Sequence, residues 1–175
     1  NDERSQPDII EFVNCKADER TGLTFRRHFT KAGRHPYDEL EWETRSAVIN
    51  DERGEPVFEQ HDIEVPTSWS QTATNIVASK YFHGQMGTPE RESSLKQLIG
   101  RVVGRVTQWG VDGGYFATAE DAELFSDELT HLLLHQMVAF NSPVWFNLGV
   151  AGERQQASAC YINHVADTME SILDL

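Results

Sequence analysis

Few side chains in this 175-residue sequence have the type and spacing that chemistry needs, and the clearest candidate is a cysteine near the C-terminal end. Cys160 follows Ala157-Ser158-Ala159, a run of small residues that predicts a strand over residues 157–163 lying against a ligand or another backbone. A thiol in such a strand is either reactive or buried and structural, and the residue types alone favour the buried alternative. Cys15, the other cysteine, lies in a polar segment and is predicted to be incidental.

A pair of histidines is the second candidate. His131 and His135 are four residues apart, a spacing at which one helix face can chelate a metal ion. However, Asp127 and Glu128 indicate that this face is solvated, no third ligand follows at a suitable spacing, and the intervening leucines include no general base. The prediction is therefore that there is no metal site, and stoichiometric zinc in the purified protein would contradict it.

Composition limits the class of function. Lys and Arg number 15 against 28 Asp and Glu, and the resulting net charge of −13 repels phosphate backbones, so we expect no nucleic-acid partner. Apolar runs are too short for a membrane span. Two cysteines far apart make no disulfide framework, and no signal-peptide pattern is present, which together favour a cytoplasmic location.

Hydrophobic periodicity predicts a mainly α fold with a short β excursion. Weakly alternating residues on either side of Asn50–Gly54 predict a short hairpin or an extended excursion between residues 47 and 65. A first helix should begin near Pro66–Ser68 and end by Gly84. A second should run from a Thr88-Pro89-Glu90 start to Gly110. A third should be capped by Thr118, keep an apolar face as far as Met137 and Phe140, and break at Asn141-Ser142-Pro143.

The same patterns divide the chain into three parts. Residues 1–29 are predicted to be a polar arm that orders only when something covers it, and residues 30–150 a helical domain. Residues 151–175 hold the isolated strand, followed by an amphipathic run with Met169, Ile172 and Leu173 at helical spacing and no stop signal. A lone strand needs partners, so these features indicate a piece of a larger protein.

Two ordered motifs carry a family resemblance. Phe140-Asn141-Ser142-Pro143-Val144-Trp145-Phe146-Asn147 is followed by Gln156-Ala157-Ser158-Ala159-Cys160 and then Asp167-Thr168-Met169-Glu170-Ser171-Ile172. Earlier segments, among them Phe29–Gly33, Trp42–Arg45 and Ala78–Phe82, agree with the same pattern. Through them the chain resembles the N-terminal part of the class II, adenosylcobalamin-dependent ribonucleotide reductases.

The resemblance implies both a fold and an activity. In that family a helical domain precedes a ten-stranded α/β barrel, so residues 157–163 would form the first barrel strand. The full protein would reduce ribonucleoside diphosphates or triphosphates to deoxyribonucleotides by thiyl radical chemistry started with adenosylcobalamin. Cys160 would be one of the redox-active cysteine pair, Ser142 would hydrogen-bond the substrate, and Ala159 with Cys160 would line its pocket.

The family also implies partners: a ribonucleotide substrate, a dithiol reductant such as thioredoxin, dNTP or ATP effectors, and a second copy in a homodimer. The radical-bearing cysteine, the second redox cysteine and the catalytic Asn and Glu belong to later barrel strands, as does most of the cobalamin site. The 175 residues alone are therefore expected to be inactive. The alternative is a stand-alone, non-catalytic helical interaction or regulatory module derived from that family.

Overall fold

The computed structural model describes residues 22–160 and 164–173. Its regular elements confirm the mainly α fold with one β hairpin; the barrel remains an expectation. A 3-10 helix, Pro36–Glu39, comes first, and a π-helical turn spans Val77–Tyr81. The remaining elements are β1 (Trp42–Asn50), β2 (Pro56–Pro66), α1 (Gln71–Ile76), α2 (Leu95–Asp112), α3 (Ala119–Leu134), α4 (Ser142–Asn147) and α5 (Met169–Leu173). No helix among the described residues is long and apolar enough to cross a membrane.

Of the two predicted alternatives the hairpin is present, and it extends beyond the predicted residues 47–65 to Trp42 and Pro66. Strands β1 and β2 pair antiparallel from Trp42 opposite Pro66 to Asn50 opposite Pro56, with irregularities that add twist. Ala47, Ile63 and Val65 are buried on the face that meets the helices. The hairpin therefore forms one wall of the core, because successive side chains of a strand point to opposite faces and these three lie on the same one.

Helix α2 begins later than the sequence suggested. Its cap is Ser94, whose hydroxyl accepts from the N–H of Lys96, while the Gln97 side chain accepts from the N–H of Ser94. Thr88 and Pro89 lie in the preceding loop, so the predicted start was wrong. The helix also continues past Gly110 to Asp112.

Gly110 is a packing position inside α2 and does not end the helix. A Cβ there would stand 2.3 Å from the Phe116 ring, so only glycine lets the loop after α2 fold back. The helix ends instead at its cap residue, Gly113.

Helix α3 begins as predicted and ends early. The Thr118 hydroxyl accepts from the N–H of Asp121, which confirms the cap. The helix stops at Leu134, because Gln136 adopts a left-handed conformation with φ 55°. Met137, expected on the buried face, is therefore 55% exposed.

Residues 22–29 of the predicted arm, together with Thr30, lie along α3. The Glu128 carboxylate accepts hydrogen bonds from the N–H groups of His28, Phe29 and Thr30 and from the Thr30 hydroxyl. Burial raises the pKa of Glu128, but these bonds outweigh it and hold the pKa at about 2. Residues 1–21 of the arm, with Cys15, lie outside the described residues.

Most of the core lies between the hairpin and helices α2 and α3. Leu95 and Ile99 of α2 are each 1% exposed, as are Val65 of β2 and Leu134 of α3. A smaller cluster joins α2 to α4 through Val102 and Leu148, both fully buried. Helix α4 is thus fixed to the same core that supports the hairpin.

Candidate functional site

Ser142, the residue that the resemblance assigns to the substrate, lies at the start of α4 beside the π-helical turn. Asn141-Ser142-Pro143 was predicted to break α3; instead α3 has already ended, and this sequence starts a new helix with Asn141 as its cap. Proline suits the first turn of a helix because no N–H is needed there. The Ser142 hydroxyl is half-buried and lies 3.1 Å from the Tyr81 hydroxyl.

The π-helical turn gives Tyr81 its direction. The N–H of Phe82 donates to the carbonyl of Val77, five residues back, where an α-helix would bond four back. The extra residue in this turn gives Tyr81 a direction different from the one it would have if α1 continued as an α-helix. Its ring stacks on Phe146 of α4, with centroids 5.4 Å apart and planes 22° apart.

Arg91 holds the carbonyl end of this turn. Its guanidinium donates to the carbonyls of Ala78 at 2.6 Å and Phe82 at 2.7 Å, and also to the Gln60 side chain at 3.0 Å. The last carbonyls of a helix have no partner within it, so one planar side chain satisfies several of them together. The turn that carries Tyr81 is therefore tied to β2 as well.

Arg101 binds the carbonyls at the end of α4 in the same way. It donates to the carbonyls of Trp145 at 3.1 Å and Leu148 at 2.7 Å, and its Nε lies 2.8 Å from Glu92. The Arg101 and Glu92 side chains are each only 10% exposed. Glu92 also accepts from the N–H of His83, so the ion pair joins α2, α4 and the segment after the π-helical turn.

Gly149 allows the close approach of α4 to α2. Its φ is 77°, and a Cβ would stand 2.3 Å from the carbonyl oxygen of Arg101. The Gln155 side chain accepts from the Gly149 N–H and donates to the Val150 carbonyl, which closes the turn that follows. The chain is thereby directed from α4 toward the second motif.

Cys160 is exposed, so the prediction of a buried structural thiol is wrong. Residues 157–160 are extended, and no described segment pairs with them. Residues 161–163 lie outside the described residues, and the barrel strand over 157–163 stays a prediction. Ala159 is half-buried, and within residues 22–160 and 164–173 no hydrogen bond joins this segment to Ser142. Helix α5 follows, with the predicted Met169 and Leu173 both exposed.

The histidine pair is not on a fully solvated face. His131 is half-buried and stacks on Phe29 with centroids 5.3 Å apart, while His135 is exposed and stacks on His131. Burial, and then the neighbouring His135, lower the pKa of His131. Among residues 22–160 and 164–173, no group of three or more His, Cys, Asp or Glu side chains could hold a metal ion.

Tyr81, Arg91 and Arg101 were missed as parts of this site. The two arginines bind backbone carbonyls, which every sequence offers, so their partners leave no pattern to find. The sequence carries only a weak signal for Tyr81, which follows Ala73 and Val77 at helical spacing, and the π-helical turn alters that spacing.

Comparisons with known proteins agree on one family. The family model for class II vitamin B12-dependent ribonucleotide reductase matches residues 43–136. The chain is 54% identical over 154 residues to the vitamin B12-dependent ribonucleotide reductase of Streptomyces coelicolor, covering 87% of this chain and 16% of that protein. It is 45% identical over 194 residues to the same-named protein of Rhodopirellula baltica, covering 94% and 19%.

The chain thus spans less than a fifth of the length of these relatives. The family match runs from the start of β1 to just beyond α3, the part that forms the main core. The chain belongs to the class II, vitamin B12-dependent ribonucleotide reductases, and it is the N-terminal region of a member of that family.

Proposed function

We propose that this region provides the helical support and part of the substrate and redox site of a cytoplasmic enzyme that reduces ribonucleotides to deoxyribonucleotides. The observation that carries the proposal is the exposed Cys160 thiol, at the end of an extended segment that has no strand partner among the described residues. Such a segment is suited to join a sheet formed by other parts of the full protein.

Cys160 acts in this proposal as one of two thiols that reduce the sugar. The C2′–O bond of the ribonucleotide breaks and its oxygen leaves as water, while a C2′–H bond forms. Two thiols give up their hydrogen atoms and join as a disulfide, which balances the two electrons that the sugar gains. The second thiol comes from the rest of the protein, and a dithiol reductant such as thioredoxin then restores the pair.

Ser142 and Ala159 contact the substrate in this proposal. Ser142 supplies a hydroxyl from α4, and Ala159, half-buried beside Cys160, leaves room for the sugar. Further features of the proposal, namely a homodimer and dNTP or ATP effectors, rest on family membership alone.

Adenosylcobalamin, when bound, would supply the radical that starts the reaction. The interior of the described part is filled by its own side chains, with Val102, Leu148 and Ala122 fully buried. A packed interior of this kind leaves the surface as the place where this region could contact the cofactor. In this proposal most of the cobalamin site belongs to the remainder of the protein, and this rests on family membership alone.

The decisive experiment uses the full-length enzyme carrying Cys160→Ser, with Cys15→Ser as the matched control. Multiple turnover with a dithiol reductant should be lost in the first variant and kept in the second. Thiol labelling and mass spectrometry after turnover without reductant should find Cys160, and not Cys15, in a disulfide. Unchanged turnover in Cys160→Ser would refute the redox assignment.

A further inference from the structure

We propose that Tyr81 is a positioning residue that directs the Ser142 hydroxyl toward the ribonucleotide. The inference rests on the proposed function, in which Ser142 contacts substrate, and it extends the site to a residue outside both C-terminal motifs. It begins from the 3.1 Å distance between the Tyr81 and Ser142 hydroxyl oxygens.

The phenol holds its position through contacts with α4 at two points. Its hydroxyl meets Ser142 in the first turn, and its ring stacks on Phe146 four residues later at 5.4 Å. Residues four apart lie on one helix face, so Tyr81 packs along that face and contacts it with both ends of the side chain. The stack on Phe146 is a contact separate from the hydrogen bond, and it remains when the hydroxyl is removed.

The two elements that carry the pair are each fixed by an arginine. Arg91 bonds the carbonyls at the end of the π-helical turn, and Arg101 bonds the Trp145 and Leu148 carbonyls of α4. A functional side chain is effective when its own rotamer and its supporting elements are held before the ligand arrives. Tyr81 and Ser142 meet this condition within the described part of the chain.

The direction of the hydrogen bond between Tyr81 and Ser142 determines whether the Ser142 proton is free to reach the nucleotide. A serine hydroxyl has one proton to donate and two lone pairs to accept with, and a phenol is the stronger donor of the two groups. When Tyr81 donates to the Ser142 oxygen, the single Ser142 proton stays free to point at an oxygen of the nucleotide. Among the described residues Tyr81 is the hydrogen-bond partner of the Ser142 hydroxyl, so without the phenol hydroxyl no neighbour there fixes the direction of the Ser142 proton.

The test is a double-mutant cycle in the full-length enzyme with Tyr81→Phe, Ser142→Ala and both together, using CDP and CTP as substrates. Tyr81→Phe keeps the ring stack and removes only the hydroxyl. Losing one neutral hydrogen bond should raise KM by about 3- to 10-fold with kcat changed by less than about 2-fold. In the Ser142→Ala background the same change should alter KM by less than about 2-fold.

Tyr115→Phe is the matched control, because Tyr115 is 63% exposed; it should leave KM unchanged. If Ser142→Ala itself leaves KM unchanged, the proposed function of Ser142 fails. If Ser142→Ala raises KM while Tyr81→Phe does not, or the two effects multiply in full, only the inference about Tyr81 fails. A fall in melting temperature with Tyr81→Phe and no change in KM would mark the bond as structural and also overturn it.

Discussion

Replacing Arg101 with methionine tests whether this one buried side chain, paired with Glu92, fixes α4 against α2 through the Trp145 and Leu148 carbonyls. Methionine keeps most of the apolar stem and removes the charge. Glu92, whose side chain is 10% exposed, is then left without its cation. Breaking a buried pair from one side costs about 3–5 kcal/mol, because the remaining charge is desolvated and uncompensated.

The geometry places the expected loss within that range. Arg101 donates to two backbone carbonyls as well as to Glu92. Each carbonyl loses a hydrogen bond that contributes about 1 kcal/mol, and α4 can recover part of this loss by shifting and admitting water. Glu92 keeps the N–H of His83, which offsets part of the cost. We expect about 4 kcal/mol of lost stability, which for a chain of this size lowers Tm by roughly 8–16 °C.

Urea unfolding of the chain followed by tryptophan fluorescence measures the loss, and Arg27→Met is the matched control. The pair of Arg27 with Asp127 is more open, with side chains 30% and 20% exposed, and its loss should cost less than about 1 kcal/mol. Arg101→Met with Glu92→Met together should be less destabilised than the sum of the single variants. Equal losses for Arg101→Met and Arg27→Met would refute the reasoning.

Three further predictions concern capping, charge and exposure. Glu128→Gln should cost about 1–2 kcal/mol at neutral pH after allowance for solvent screening. Because the folded pKa of Glu128 is lowered to about 2, that stability should be complete above the usual carboxyl pKa and should disappear as the pH falls toward 2, in urea titrations across that range. Ser94→Ala should lower the unfolding free energy by about 1 kcal/mol, whereas Thr88→Ala should change it by less than about 0.5. In a Cys15→Ser chain, Cys160 should react with a maleimide as fast in the folded state as in urea, and protection in the folded state would contradict its exposure.

The elements that sequence reasoning predicted well are those determined by local signals. The turn sequence Asn50–Gly54 between weakly alternating residues indicates a hairpin or an extended excursion, and the pairing of β1 with β2 shows that it is the hairpin. The periodic face from Leu95 to Val103 predicts α2 because tertiary packing buries that same face. The cap at Thr118 was predicted correctly because a threonine followed three residues later by an acidic residue is a pattern that seldom marks anything other than a helix start.

The errors come from competition between signals of similar strength. Thr88 and Ser94 can both cap a helix, but α2 begins at Ser94. The Ser94 hydroxyl also donates to Glu64 on β2, and Gln97 completes the capping box. The end of α3 was predicted too late because apolar residues continue at helical spacing through Met137. Gln136 adopts a non-helical conformation before that point, and no glycine in the sequence marks the change. Tertiary contacts decide both cases, and a local pattern does not contain them.

The same distinction separates the two halves of the proposed site. Ser142 lies on a helix fixed by Arg101 and beside a turn fixed by Arg91, so its surroundings are formed by the described residues alone. Cys160 follows an extended segment whose polar contact, from the Gln156 side chain to the Ser158 carbonyl, is local. Because an extended backbone needs hydrogen-bonding neighbours, the Cys160 half should acquire its geometry only when other strands pair with it. A substitution that loosens α4 should therefore affect substrate binding through Ser142, whereas one that blocks strand pairing at Ala157–Cys160 should remove the redox step and leave the helical core intact.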